Sequence, residues 1–219
     1  MFNTKLFIYC SVTLAAAASL LTGCQSVKNE PAAITAPATA PVSATVLTSA
    51  PATAMAPTSA PVSAAVTLQP PVRIKAGLNA AYTDAQGQTW LPDQGFDGGD
   101  VVERDADLKI ENTTDAAFYR SEHFSMNSFS CAVPNGKYAV KLHFAETFEE
   151  ITEPGQRVFS FNVNGQDFKD FDVLVKAGGP RRAYVQTVNV DITNGKLNIT
   201  FTPNVENPEI NGIEILPAS

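Results

Sequence analysis

The residues from Pro31 to Val72 contain no charged and no aromatic side chain and consist almost wholly of Ala, Pro, Thr, Ser and Val. Such a composition lacks the large apolar surface that offsets the entropy lost on folding. Frequent proline favours extended polyproline II conformations, which rise about 3.1 Å per residue. Every aromatic residue beyond the N-terminal 23 lies after Val72. The sequence therefore predicts one folded domain at 72–219 and a disordered linker at 24–71.

The N-terminus has the layout of a secretory signal. Lys5 precedes an Ala-rich apolar run, Leu6–Leu21, that is shorter than the ~20 residues of a membrane-spanning helix. The run ends in Leu21-Thr22-Gly23-Cys24, which resembles a bacterial lipobox. In proteins of that class the cysteine becomes the first mature residue and is acylated. We therefore expect a signal peptide at 1–23 and a lipid anchor on Cys24; an ordinary signal peptide with a chance cysteine is the alternative.

Two further residues bear on the compartment. Gln25 follows the anchor cysteine, where an aspartate would favour the inner membrane, so the resemblance favours the cell envelope and its outer membrane. Cys131 is the cysteine that remains once Cys10 leaves with the signal and Cys24 carries lipid, so no disulfide within the mature chain is expected. Cys131 lies in an alternating apolar run, which favours a small buried residue over a nucleophile.

The formal net charge is −7 and the isoelectric point is near 4.8, which argues against nucleic acid as a partner. Neither His123 nor His143 lies in a metal-ligand spacing, and no P-loop or dinucleotide fingerprint is present. We therefore expect no cofactor and no metal. Asp93, Asp97 and Asp100 bracket glycines and could offer oxygen ligands to calcium, although a plain turn fits their spacing better.

Alternating apolar and polar residues predict strands in several segments after Val72. The clearest are Tyr138–Phe144, Phe159–Val163 and Leu197–Phe201, which have a period of two and no helical repeat. Asn-Gly pairs suit tight hairpin turns, so a hairpin is predicted at each of three pairs: Asn135-Gly136, Asn164-Gly165 and Asn194-Gly195. Many short strands with turn signals predict an all-β fold, an antiparallel β-sandwich of jelly-roll type.

Catalytic chemistry has weak support in the sequence. Glu146, Glu149 and Glu150 could supply paired carboxylates for glycoside hydrolysis, but acidic clusters at strand ends are usually solvated loops. Sugar binding instead needs aromatic rings that stack on pyranose faces and polar groups that take the hydroxyls, both carried on loops above a rigid scaffold. The segments Phe118–Phe124 and Phe144–Glu149 offer such groups.

An ordered series of motifs over nearly the whole region after Val72 resembles the malectin domain family. The segments that carry the resemblance are Ala81-Tyr82-Thr83-Asp84 with Gly87, Trp90 and Asp93; Gly98-Gly99; Phe118-Tyr119-Arg120-Ser121-Glu122; Val133–Val140; Leu142-His143-Phe144-Ala145-Glu146; Gly155–Phe159; Val163-Asn164-Gly165; Phe171-Asp172-Val173; Ala177-Gly178; and Asn207–Ile215. The resemblance implies a non-catalytic β-sandwich that binds carbohydrate.

The resemblance also implies where the sugar is bound. The family's tyrosine after its Glu-Arg motif falls on Phe124, its aromatic pair falls on Phe148 and Glu149, and its acidic residue before Asn-Pro falls on Glu206. Tyr119 is a further candidate for hydrogen bonding. A family tyrosine near Val101 and Val102 has no counterpart. Phenylalanine keeps the stacking face but lacks the hydroxyl, which puts the family's specificity for glucose disaccharides in doubt.

These observations predict a membrane-anchored, non-catalytic lipoprotein that binds a glycan through a malectin-like domain on an extended stalk. Glu122, Glu146 and Arg157 are expected to anchor loops through charge-assisted hydrogen bonds. The alternative is a protein-interaction module that docks an envelope partner. A glycosidase that uses Glu146 and Glu149 is a third hypothesis.

Overall fold

The computed structural model describes residues 66–218, so the predicted signal peptide, Cys24 and most of the predicted linker lie outside the described residues. Within this range the chain forms strands and two short helices. The strands are β1 (Val72–Lys75), β2 (Tyr82–Thr83), β3 (Thr89–Trp90), β4 (Phe96–Asp97), β5 (Asp100–Glu103), β6 (Ser121–Phe124), β7 (Ser128–Ala132), β8 (Gly136–Phe144), β9 (Val158–Val163), β10 (Gln166–Phe171), β11 (Tyr184–Ile192), β12 (Lys196–Val205), β13 (Glu209–Ile210) and β14 (Gly212–Pro217). A 3₁₀ turn spans Ala117–Arg120 and helix α1 spans Val173–Ala177.

Two antiparallel sheets form the sandwich. One has the strand order β1-β14-β8-β11 and the other has the order β10-β9-β12-β7-β4. Their inner faces share one core, in which Phe144 of β8 lies 6.2 Å, between ring centroids, from Phe159 of β9. The sequence prediction of an all-β antiparallel sandwich is confirmed.

The predicted alternation places the core residues as expected. In β8 every second side chain from Tyr138 to Phe144 is buried, and the intervening residues are only half-buried. Phe159, Phe161 and Phe201 are buried in the same core, and so is the free Cys131. The alternation predicted these core residues correctly because side chains on a strand point alternately to its two faces. One side chain cannot change faces unless the register of the whole strand shifts.

Only one of the three Asn-Gly pairs makes a hairpin. Asn164-Gly165 has positive φ at both residues and joins β9 to its antiparallel partner β10. Asn135-Gly136 and Asn194-Gly195 instead carry the chain from one sheet to the other, so the hairpin prediction was wrong for both. The two turns lie together, since Gly195 N donates to Asn135 Oδ1 at 2.6 Å. An Asn-Gly pair specifies a sharp reversal, and a reversal serves a sheet-to-sheet crossing as well as a hairpin.

A second cluster of buried residues covers part of the outer face of the four-stranded sheet. It contains Trp90, Phe118 and Tyr119, together with Ile110, Ala145 and Ala183. His143 lies on the opposite face of β8 from Phe144, and its ring is 5.4 Å from that of Trp90. This layer explains why Trp90 and Tyr119 are buried, although neither belongs to a long alternating run.

A small three-stranded sheet, in the order β13-β6-β5, lies beside the sandwich. Phe124 of β6 is paired with Glu209 of β13 on one side and with Asp100 of β5 on the other. Gly99 permits this packing: its φ is +87°, and a Cβ there would lie 2.4 Å from Phe124 O. Within residues 66–218 no helix is long and apolar enough to cross a bilayer.

Candidate functional site

Strand β6 places alternate side chains on two sides of the small sheet. Glu122 and Phe124 lie two residues apart and both line a cleft, whereas His123 is buried on the other side. His123 is held there by Asp93 Oδ2 at 2.9 Å from Nδ1 and by Gly98 O at 3.0 Å from Nε2. Hydrogen bonding to Asp93 and Gly98 outweighs burial and raises the pKa of His123. Asp93 and Gly98 therefore hold the His123 ring on the side of β6 away from the cleft.

The loop after β8 supplies the opposite wall. Glu146 is buried; it accepts a hydrogen bond from Phe148 N at 2.9 Å and one from Arg157 Nε at 2.7 Å. The Thr147 hydroxyl donates to Glu122 Oε2 at 2.7 Å. These bonds fix the backbone so that the half-buried Phe148 ring faces the cleft.

Two arginines join the walls. Arg104 of the segment after β5 donates to Glu122 at 2.8 Å and to the Thr147 hydroxyl at 3.0 Å, and its guanidinium carbon lies 5.8 Å from the centre of the Phe148 ring. Arg157 binds Glu146 and also donates to Asn207 O, which ties the loop after β8 to the turn before β13. Glu122, Glu146 and Arg157 thus have the anchoring contacts that the sequence predicted.

We call the space between these walls the aromatic cleft. It has a volume of about 200 Å³. Its lining residues are Val102, Arg104, Glu122, Phe124, Phe148, Arg157, Glu206 and Asn207. Two half-buried phenyl rings from different elements therefore share one cleft with carboxylate, guanidinium and amide groups.

The structure brings together three of the five predicted binding residues. Phe124, Phe148 and Glu206 all line the aromatic cleft. Glu149 faces a neighbouring cavity, with its side chain 83% exposed. Tyr119 lies elsewhere: it is 5% exposed in the second core cluster, and its hydroxyl is 3.0 Å from His143 Nδ1. Burial raises the pKa of the Tyr119 hydroxyl.

The sequence reasoning missed Val102, Arg104 and Asn207. Val102 pairs with Glu122 across the small sheet, at the place where the family's extra tyrosine has no counterpart. The strand β5 that carries it is mostly exposed, so its alternation gave no signal. Asn207 could have been found, since it follows the predicted Glu206 directly and begins the Asn-Pro motif. Nothing local marks Arg104, because its partners Glu122 and Thr147 are distant in sequence.

An unpaired carboxyl group lies on β13, the strand that pairs with β6. Glu209 is fully buried, and neither of its side-chain oxygens has a hydrogen-bond partner among the described residues. Burial, followed by the neighbouring charges of Glu122 and Glu146, raises the pKa of Glu209 well above its ordinary value. The raised pKa favours the protonated acid, beside an ion-pair network of Glu122, Glu146, Arg104 and Arg157 that balances in charge.

Two further hypotheses from the sequence concern a calcium site near Asp93 and a glycosidase pair at Glu146 and Glu149. The Asp93 carboxylate forms hydrogen bonds with His123 and with Gly77 N. Residues 66–218 contain no group of three His, Cys, Asp or Glu side chains placed to hold a metal ion. Glu146 and Glu149 do not face one space, since Glu146 is 1% exposed and bound to Arg157 while Glu149 points to solvent. The geometry therefore gives the proposed glycosidase pair no shared substrate site.

The region that contains the cleft matches a known protein family. The model of the malectin domain matches residues 71–213, which is most of the region that the structure describes. This chain belongs to the malectin domain family. The match spans the small sheet, every residue that lines the aromatic cleft, and both sheets of the sandwich except most of β14.

Malectin-like relatives include plant proteins. Receptor-like protein 4 of Arabidopsis thaliana is 37% identical over 84 residues, which are 37% of this chain and 13% of that protein. A probable leucine-rich repeat receptor-like serine/threonine-protein kinase of the same plant is 36% identical over 103 residues, 43% of this chain and 10% of that protein. The chain thus spans a small part of the curated relatives that it matches.

Solved structures share the malectin-type fold. The ANX1 ectodomain from Arabidopsis thaliana superposes with a TM-score of 0.57 at 17% identity, over 66% of this chain and 47% of that one. A β-glucuronidase of Bacteroides uniformis superposes with a TM-score of 0.59 at 22% identity, over 68% of this chain and 18% of the enzyme. At such identities these matches show the shared fold alone.

Proposed function

We propose that this chain binds a glycan non-covalently in the aromatic cleft. The observation that carries the proposal is the pair of half-buried rings, Phe124 and Phe148, which face one cleft from different elements. Aromatic faces bury the C–H faces of a sugar ring, and the surrounding polar groups take its hydroxyls. Membership of the malectin domain family supports this assignment.

The polar groups of the cleft divide into fixed and free ones. Glu122 accepts hydrogen bonds from Arg104 and Thr147. Arg157 donates to Glu146 and to Asn207 O. Both side chains therefore hold the walls of the cleft together. Glu206 and the Asn207 side chain are exposed on the rim and bond mainly to each other. We therefore expect Glu206 and Asn207 to accept and donate hydrogen bonds to the sugar.

We further propose that the domain acts as a binding module without hydrolysing its ligand. Its two candidate carboxylates do not share a substrate space, and Glu146 is consumed by Arg157 and by Phe148 N. In this proposal the lipid anchor at Cys24 and the linker 24–71 hold the domain off a membrane of the cell envelope, with the outer membrane favoured. Many tethered copies on one surface would raise the avidity of a weak single site.

The test is a glycan array with the full-length chain and with the Phe124→Ala and Phe148→Ala variants. We expect the chain to bind at least one sugar and each variant to lose that binding. Phe168→Ala is the matched control, because Phe168 is also half-buried but stacks on Phe161 away from the cleft. Far-ultraviolet circular dichroism verifies that each variant keeps its strand spectrum. Retention of binding in both cleft variants would show that the sugar binds elsewhere.

One observation favours a second candidate, docking of an envelope protein. Val101 and Val205 are exposed beside the cleft residues Val102 and Glu206. An apolar rim of this kind suits a protein surface, and the relatives are receptor-like proteins. If the folded chain binds no glycan on the array, an affinity pull-down from envelope extract, compared with Val101→Ser, tests this alternative.

A further inference from the structure

A cavity larger than the aromatic cleft lies directly beside it. We propose that this outer cavity is a second subsite, which extends the cleft and takes further units of a neutral oligosaccharide. The inference rests on the proposed function and concerns the length and charge of the ligand. The outer cavity has a volume of about 620 Å³. Its lining residues are Glu103, Arg104, Asp105, Asp107, Leu108, Lys109, Thr147, Glu149 and Arg181.

The two spaces share a dividing wall. Arg104 lines both of them. In the loop after β8, Phe148 faces the aromatic cleft, while its neighbours Thr147 and Glu149 line the outer cavity. Arg104 and the loop after β8 therefore form a ridge between the aromatic cleft and the outer cavity. A ligand that crosses this ridge would contact both spaces.

The volumes of the aromatic cleft and the outer cavity favour a ligand that occupies both spaces. Pockets that bury a small ligand usually enclose about 300–1,000 Å³. The aromatic cleft, at about 200 Å³, falls below that range, whereas the outer cavity at about 620 Å³ lies within it. We infer that the cleft holds one ring of the ligand and that the outer cavity holds the units that follow.

Charge favours a neutral ligand. Four carboxylates line the outer cavity beside three cationic side chains, so an acidic polymer would gain little from the cations and would meet repulsion from the acids. Alternating acceptors and donors fit the vicinal hydroxyls of a neutral sugar. The Glu149–Arg181 pair is exposed at 3.6 Å and therefore contributes little to the fold, which leaves both groups able to contact a ligand.

The test measures affinity against chain length by isothermal titration calorimetry of the full-length chain. The probes are maltose with maltohexaose, cellobiose with cellohexaose, and an acidic hexamer of galacturonic acid. We expect the six-unit member of one neutral series to bind about tenfold more tightly than its two-unit member, a difference of about 1.4 kcal/mol. The double variant Asp107→Ala/Lys109→Ala, both exposed, should reduce the hexamer affinity to that of the dimer. The matched control Asp191→Ala/Lys169→Ala changes the same residue types outside both spaces.

The outcomes separate the subsite from the function on which it rests. Equal affinity for two and six units, with dimer binding that Phe148→Ala removes, overturns the subsite and leaves the proposed function intact. Tighter binding of the acidic hexamer than of both neutral hexamers overturns the assignment of a neutral ligand. Absence of binding to every probe overturns the subsite along with binding of these glucans. An affinity gain that survives Asp107→Ala/Lys109→Ala would show that the extra units bind outside the outer cavity.

Discussion

At the scale of single residues, Glu209 is a fully buried acid on the strand next to β6. It pairs through its backbone with Phe124, whose ring lines the aromatic cleft. Its neighbours Glu122 and Glu146 already balance Arg104 and Arg157, so an ionised Glu209 would be an uncompensated buried charge. Folding therefore favours the protonated acid over the carboxylate at this position.

The substitution Glu209→Gln tests this protonation state. The folded chain keeps a proton that the unfolded chain releases near pH 4.5, so the contribution of Glu209 to stability is full below that pH and falls as pH rises towards its raised pKa. We expect the wild type to lose up to about 1.4 kcal/mol per pH unit, the limit for one proton, relative to Glu209→Gln above pH 4.5. Urea unfolding of both proteins from pH 4 to pH 8 measures the difference. A constant difference across this range would contradict the assignment.

At the scale of elements, the cleft exists because loops are tied to one another by buried ion pairs. Arg157 joins the loop after β8 to the turn before β13, and it is 6% exposed. Glu122, through Arg104 and Thr147, joins β6 to the segment after β5 and to the same loop. The Phe124 and Phe148 rings are thus positioned by ion pairs and hydrogen bonds between the elements that carry them.

The Arg157–Glu146 pair makes a measurable prediction. Arg157→Met leaves a buried carboxylate without its partner, and we expect it to cost about 3–5 kcal/mol of the free energy of unfolding. The double variant Arg157→Met/Glu146→Leu removes both charges and should recover a large part of that loss. Chemical denaturation of the three proteins measures the coupling. If the double variant is as unstable as Arg157→Met, the loss comes from packing rather than from the unpaired charge.

Lys75 performs a similar task at the end of β1. It is fully buried and donates to three carbonyls, those of Ala76, Ser121 and Asn211. These bonds join β1 to β6 and to the residue between β13 and β14. Its Nζ also lies 4.9 Å from the Phe118 ring centre. Burial nevertheless lowers the pKa of Lys75 to about 7, so it loses its charge more easily than a surface lysine.

Lys75→Met should destabilise the domain while keeping its apolar volume. The variant loses three charge-assisted hydrogen bonds but also the desolvation cost of the ammonium group, and we expect a net loss of about 2 kcal/mol. Urea unfolding at pH 6, below the pKa of Lys75, measures it. Lys169→Met, at an exposed position of β10, is the control and should change stability little. A neutral effect at Lys75 would mean that its bonds only repay its burial.

At the scale of the whole molecule, the proposed anchor and the proposed cleft are separable. The linker 24–71 carries no aromatic side chain, and the cleft residues all lie after Val72. In the proposed function, the predicted linker sets where the domain acts, whereas the domain sets what it binds. Changes at the anchor should therefore move the protein without altering its ligand.

Cys24→Ala tests the anchor. In a Gram-negative host we expect the wild-type chain in the membrane fraction and the variant in the soluble fraction, since acylation needs the cysteine thiol. Cys10→Ala, inside the predicted signal peptide, should leave the distribution unchanged. Immunoblotting of fractionated cells measures both. Membrane retention of Cys24→Ala would exclude this residue as the attachment point.

How far the sequence led can be judged from particular residues. Alternation placed Phe144, Phe159, Phe161 and Phe201 in the core, because a period of two reports directly which face of a strand is buried. The ordered motifs identified the malectin family and selected Phe124, Phe148 and Glu206, which the fold then brought to one cleft. The same reasoning could not separate Tyr119 from that cleft, because its burial depends on a layer built from Trp90 and Phe118.

The sequence by itself determined the all-β class, the alternating faces, the family and the boundary where aromatic residues begin, since each of these is written in local pattern or composition. Only the tertiary structure decided that two Asn-Gly turns cross between sheets, that Glu149 leaves the aromatic cleft for the outer cavity, and that Arg104 joins the two spaces. These outcomes depend on pairings such as β13 with β6, which join residues 85 or more positions apart. No local pattern records such a pairing, because its free energy comes from the partner strand and the core beneath it.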